Sequence, residues 1–179
     1  MKARNLLWLL TFITLHATSQ VQKKDSFEIL KYFPNGKVQT EYWVKIFGHD
    51  TLIDGQWMGY YENGNIFEKM TWRKGRIASI RELYNKKGRI IFTYTYNEGD
   101  FPRTIISQAY YYDFLAACTY SVGTLIETGY GPTDYQQHGI AKFFRRNGVL
   151  MDSLVYDHNE IIYRAKFNSK GKLVNGEYY

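Results

Sequence analysis

Cysteine is almost missing from this chain. Cys118 is the single one in 179 residues, so no intrachain disulfide can form, and stability has to come from burial and sheet hydrogen bonds. Histidine is nearly as scarce, with four in all: His16, His49, His138 and His158. His49 follows Gly48 and His158 precedes Asn159, positions that read as solvated turns. No His-x-Glu, paired cysteine or close histidine pair supplies metal-ligand spacing, and no Gly-x-Ser-x-Gly elbow is present to activate a serine. Gly129-Tyr130-Gly131 lacks the later glycine and the strand–turn–helix setting of a phosphate loop. Asp113 and Glu127 could form a general acid/base pair only if the fold brought them together. These absences predict a protein with no catalytic residue, no cofactor and no metal.

Charge runs and long apolar runs are also few. One uncharged apolar stretch, Leu6 to Leu15, is ten residues, about half of the roughly 20 that a membrane-spanning helix needs. It follows Lys2 and Arg4 and ends at Ala17-Thr18-Ser19, the pattern of a secretory signal peptide cleaved after Ser19. An uncleaved N-terminal anchor is the alternative. The expected mature chain is one domain over 20–179, exported to the periplasm, the cell surface or the medium. Residues 1–19 hold two cations and no acid, so their removal lowers the net charge from +6 to +4. That dispersed excess would bias the protein toward anionic surfaces and does not point to nucleic acid.

Aromatic residues, in contrast, are abundant: 17 Tyr, 11 Phe and 4 Trp, a composition that favours half-buried pleated strands. Five segments repeat the order aromatic, polar turn, glycine, any residue, aliphatic. They are Tyr32 to Val38, Tyr60 to Ile66, Tyr84 to Ile90, Phe143 to Leu150 and Phe167 to Leu173. Their turn glycines are Gly36, Gly64, Gly88, Gly148 and Gly171, with weaker turn residues Gly48, Gly75, Gly99 and Asn159 about halfway between. The predicted unit is therefore strand, turn, strand, turn in about 23 residues. Repeats fall near 29–48, 55–75, 77–99, 139–159 and 161–179.

Alternation in the outgoing strands predicts which face is buried. Two residues after each glycine come Val38, Ile66, Ile90, Leu150 and Leu173; six after come Tyr42, Met70, Tyr94 and Leu154; eight after come Val44, Trp72, Tyr96 and Tyr156. Even steps along a strand share a face, so these positions form one expected buried stripe. Glu41, Lys69, Thr71, Thr93, Thr95 and Ser153 fall on the other, wetter face. The fold class is thus all-β, an antiparallel meander of hairpin repeats in an elongated, twisted sheet. Residues 100–138 break the pattern. Their composition suggests strands, with a degenerate repeat ending near Gly123 and a short helix over Ala109 to Cys118 as the runner-up.

The run Asp54-Gly55-Gln56-Trp57-Met58-Gly59-Tyr60-Tyr61-Glu62-Asn63-Gly64-Asn65-Ile66 resembles the variant MORN-repeat family, which includes YwqK-type antitoxin-like proteins; Gln137 to Phe144 is a looser match. The resemblance spans about Phe27 to Gly99 and Gly139 to Tyr179. It implies rows of hairpins that bind proteins or lipid surfaces. Export would separate this chain from a cytosolic antitoxin.

Surplus aromatics mark the expected binding surface. Tyr110-Tyr111-Tyr112 must place neighbours on opposite faces if it is a strand, and Tyr32, Tyr60 and Phe143 each sit beside a second aromatic. Tyr32, Tyr60, Tyr110, Tyr111 and Phe143 are therefore the candidate contact residues, set against the simpler reading that such rings pack as cross-strand pairs. The expected partner is another protein, with a glycan or an anionic lipid surface as the alternative. An immunity-type protein and an enzyme built on 100–138 rank lower.

Overall fold

Five hairpins of the computed structural model close on the same five-residue device. The residue three before the turn glycine donates its N–H to the carbonyl of the residue after the glycine. The glycine N–H returns to the carbonyl of that first residue (Phe33/Gly36/Lys37, Tyr61/Gly64/Asn65, Asn85/Gly88/Arg89, Arg145/Gly148/Val149, Asn168/Gly171/Lys172). All five glycines have φ between 75° and 89°, the left-handed region that a three-residue hairpin loop needs at its last position. An asparagine locks each loop in one of two ways. Asn35, Asn63 and Asn147, just before the glycine, accept from the N–H just after it. Where lysine takes that place, Asn85 and Asn168 stand at the start of the loop and accept from the same N–H.

The structure describes residues 25–112, 117–129 and 134–179, with the side chains of 111, 112, 117 and 118 excepted; the expected signal segment 1–19 lies outside them. The described residues contain strands and no helix. The strands are β1 (Ser26–Tyr32), β2 (Val38–Phe47), β3 (Asp50–Tyr60), β4 (Ile66–Arg73), β5 (Arg76–Tyr84), β6 (Ile90–Tyr96) and β7 (Arg103–Tyr112). They continue as β8 (Ala117–Glu127), β9 (Tyr135–Gln137), β10 (Gly139–Phe144), β11 (Leu150–Asp157), β12 (Glu160–Phe167) and β13 (Leu173–Tyr178). All join one antiparallel sheet in sequence order, with β8 pairing both β9 and β10, and with β1 and β13 at its edges. The weak turns are confirmed: Gly48, Gly75 and Asn159 sit in two-residue connections with φ of 64°, 77° and 75°.

A β-bulge recurs beside the five loops. The motif aromatic and aliphatic close each ladder as a direct pair, Tyr60 opposite Ile66 for example, while Gly59 already pairs with Glu68. Phe67 is the extra residue, and Gln39, Ile91, Met151 and Val174 hold the same place in the other four hairpins. An extra residue reverses the side-chain alternation. This corrects the expected stripe: Ile66 and Ile90 sit opposite Tyr60 and Tyr84, on the other face from Met70, Trp72 and Tyr94. Val38, Ile66, Ile90 and Leu150 are only half-buried. Leu173 is 59% exposed, because β13 is an edge strand with a neighbour on one side only.

Beyond the bulges the alternation is as expected. Cross-strand register defines a front face carrying the rows Tyr42–Trp57–Met70–Arg81–Tyr94–Ser107–Gly123 and Thr40–Gly59–Glu68–Leu83–Phe92–Ala109–Ser121–Phe143–Asp152. The back face carries Glu41, Met58, Lys69, Glu82, Thr93, Gln108, Val122, Lys142 and Ser153. Met70, Tyr96, Ile105, Ala109 and Leu154, five of the six buried apolar residues among those described, lie on the front. Trp72 and Tyr156 are only half-buried, since the extensive strand contacts all join neighbours within one sheet. Residues 100–138 are also more regular than expected. β7 and β8 pair over ten positions, Gly123 lies mid-strand opposite Ser107, and Ala109 to Tyr112, where a helix was the runner-up, is strand.

Candidate functional site

A concavity forms where the turn loops of β1–β2, β3–β4 and β5–β6 line up along one side of the sheet. It is a groove of about 800 Å³ walled by Phe33, Trp57, Tyr61 and Phe67, with Tyr60, Asn35, Gln39, Asn63 and Lys86 among its other lining residues. Its aromatic wall depends on the bulge. Because Phe67 is the extra residue, its ring turns to the front face and packs edge-on against Trp57, with centroids 6.2 Å apart, and against Tyr61 at 5.7 Å. Gly59 leaves the space these rings fill. A methyl group there would come within 2.8 Å of Phe67 Cζ and of Trp57 Cη2. Tyr61 is fixed from its far end, where its hydroxyl donates to the Tyr84 carbonyl at 2.8 Å.

Neighbouring loops are tied to one another, which sets the groove's rim. Lys37 Nζ donates to the Glu62 carbonyl at 2.9 Å. Asn63 and Asn65 both donate to the Lys86 carbonyl, at 3.0 and 2.8 Å. The rim is thus built of amides and main-chain carbonyls, and the wall of rings. Such a surface can hold apolar or ring-shaped groups and hydrogen-bond their edges.

The five sequence-predicted contact residues do not share one surface. Tyr32, at the end of β1, is 54% exposed. Tyr60 lines the groove, but its hydroxyl reaches the back face and donates to Glu41 at 3.1 Å. Burial first, and then Glu41, raise its pKa above the ordinary tyrosine value. Tyr110 is half-buried, with its hydroxyl 3.2 Å from Thr93 Oγ1 and 3.1 Å from Gln108 Oε1. Phe143 lies on the front face against Tyr120, centroids 6.0 Å apart. The side chain of Tyr111 lies outside the described residues. Sequence reasoning passed over Phe67, and its position three residues after Gly64 is legible only once the bulge is known.

A second cluster occupies the middle of the front face. Glu127 and Arg103 are both buried and joined by an ion pair. Tyr135 donates its hydroxyl to Glu127 at 2.9 Å, and Arg103 also donates to the Ile77 carbonyl at 2.6 Å while stacking on Tyr96 at 4.8 Å. Arg81 and Glu68 form a neighbouring pair at 2.5 Å. The reach of Arg103 to Ile77 crosses a gap in the sheet, because β5 and β6 stop pairing at Ile80 and Thr95. Glu127, half of the acid/base pair considered above, is thus fully engaged by structural partners; Asp113 lies outside the described residues. Of the histidines, His49 sits in an exposed turn, whereas His138 and His158 come together with ring centroids 5.4 Å apart.

Comparison with known proteins finds similarity to a family model and to solved structures. The family model described as a MORN repeat variant matches residues 53–74, the stretch that supplies Trp57, Gly59, Tyr60, Tyr61 and Phe67. A solved structure of a protein with unknown function from Bacteroides fragilis aligns over 88% of this chain and 94% of its own, at 12% identity and a TM-score of 0.22. No curated protein matches the chain.

Proposed function

We propose that this protein is a non-enzymatic binding module of the bacterial envelope that holds a protein partner in the aromatic groove. The groove carries this reading. Four rings are held in place by a bulge, a glycine and a network of inter-loop hydrogen bonds. The MORN-variant match covers three of the four rings, Trp57, Tyr61 and Phe67, and supports a binding role. A protein partner is favoured over a small ligand because apolar exposure extends beyond the groove. Phe92 on the front face and Leu30, Ile80, Ile106 and Ile140 on the back face are each at least 40% exposed, and only a macromolecule that reaches past the groove would cover so dispersed a set. A glycan is the second reading, favoured by the amides of Asn35, Gln39 and Asn63 beside the rings. Export rests on the N-terminal segment and is read out by N-terminal sequencing, with Gln20 expected first.

The test compares the exported chain with Phe33→Ala and Trp57→Ala as baits for envelope extract, alongside a glycan array. A protein retained by the parent and lost from both variants supports the proposal. Retention of the same proteins by both variants rejects the groove, and glycan retention lost in both transfers the assignment to the second reading.

A further inference from the structure

We propose that His138, Asp157 and His158 form a binding site for a divalent transition-metal ion of the zinc class. Their ligand atoms all lie within 4.8 Å of one another, on the opposite side of the loop series from the aromatic groove. The fold assembles them across a strand pair. Gly139 faces Tyr156 in the β10–β11 ladder, and continuing that register by one step sets His138 opposite Asp157. The two-residue turn after Asp157 runs through His158 and Asn159 with φ of 47° and 75°, which brings the second imidazole back beside the first.

Two features make this more than a chance meeting of polar side chains. The first is bracing. Asn159 donates its N–H to the Gln137 carbonyl at 2.9 Å, its side-chain oxygen accepts from the Gln137 N–H at 2.7 Å, and the His138 N–H donates to the Thr124 carbonyl at 3.2 Å. Both histidines are therefore carried on backbone tied to a neighbouring strand. The second is an unmet nitrogen. His138 Nδ1 is shielded from solvent and has no hydrogen-bond partner; the nearest charge is Asp157 Oδ1 at 3.4 Å. That separation is close to the roughly 3.3 Å edge of a tetrahedron around zinc with about 2.0–2.1 Å bonds. His158 Nδ1 lies 2.5 Å from the same carboxylate oxygen, a hydrogen bond whose proton an arriving cation would displace.

Two imidazoles and one carboxylate suit zinc, copper or nickel, and do not suit calcium or magnesium, which take all-oxygen shells. The three side chains are 41%, 54% and 67% exposed, so water or a group from a partner completes the coordination. Binding weaker than that of a closed four-ligand site follows, in the range of roughly 1–10 µM.

Isothermal titration of the untagged full chain with zinc sulfate tests this, with a thermal melt of each variant with and without zinc as a second readout. One ion per chain is expected for the parent and for His49→Ala, whose histidine lies in a different turn. At least tenfold weaker binding is expected for His138→Ala, Asp157→Asn and His158→Ala, together with loss of the zinc-dependent rise in melting temperature. If His138→Ala fails to fold, the exposed His158→Ala decides. Binding of parental strength in His158→Ala, or sites in excess of one that respond to none of the variants, overturns the proposal in favour of adventitious surface binding.

Discussion

Replacing Gly59 by alanine adds one methyl group where the Phe67 and Trp57 rings of the aromatic groove already lie. Carbon atoms settle about 3.5–4.0 Å apart, and the new Cβ would meet Phe67 Cζ and Trp57 Cη2 at 2.8 Å, so each ring has to retreat by about 1 Å. Neither is free to do so alone, because Phe67 is wedged between Trp57 and Tyr61. Overpacking of this kind costs about 1–3 kcal/mol. Gly64, five residues on, is the control. Its φ is 89° and an added Cβ would meet nothing within 4 Å, so Gly64→Ala costs about 1–2 kcal/mol through backbone conformation alone. Urea denaturation should therefore show comparable losses for the two variants, while near-ultraviolet circular dichroism separates them. Gly59→Ala should alter the aromatic signal and weaken partner binding, and Gly64→Ala should do neither. An unchanged aromatic spectrum in Gly59→Ala would show that Gly59 does not position the rings, and the groove would then lose its structural explanation.

The remaining predictions concern the buried cluster. Glu127→Ala leaves Arg103 buried without its carboxylate and should cost about 3–5 kcal/mol, whereas replacing both residues by apolar ones of similar size should cost much less; a double-mutant cycle by chemical denaturation measures the difference. Burial first, and then the hydrogen bond to Glu127, raise the Tyr135 pKa above its ordinary value of 10.0. The unfolded chain therefore releases that proton first, so its contribution is intact below about pH 10 and is lost as pH rises toward the folded-state value. Denaturation midpoints from pH 8 to 11 should fall less steeply in Tyr135→Phe than in the parent.

Most of the architecture was legible because it is written in short-range signals. The five glycines, the asparagines around them and the halfway turns each answer to a local backbone requirement, and local requirements survive in sequence. The bulge did not announce itself. The bulged residues are Gln39, Phe67, Ile91, Met151 and Val174, which share neither size nor polarity, so no residue type marks the place where alternation reverses. A strict even-step reading therefore carried Ile66 and Ile90 onto the wrong face and passed over Phe67. The β7–β8 hairpin was obscured for a different reason: it lacks the Asn-Gly loop and is long, so it offered neither the turn signal nor the repeat length. His138 and His158 are 20 residues apart, beyond any local metal motif, and only the β10–β11 register joins them.

The sheet is one layer with its strands in chain order, and this shapes how the molecule comes apart. Each strand is supported by its immediate neighbours, so unfolding can propagate along one axis, from either end inward, in the manner of stacked-repeat proteins. The two ends are not equivalent to the middle. Every residue of β13 is exposed, whereas β7 and β8 carry Ile105, fully shielded, and the Arg103–Glu127 pair. Amide exchange should therefore be fast in the last strand and slowest around β7 and β8, with the early hairpins between. The aromatic groove sits in that intermediate zone. A partner seated there would bridge three successive hairpins and make them open as one unit.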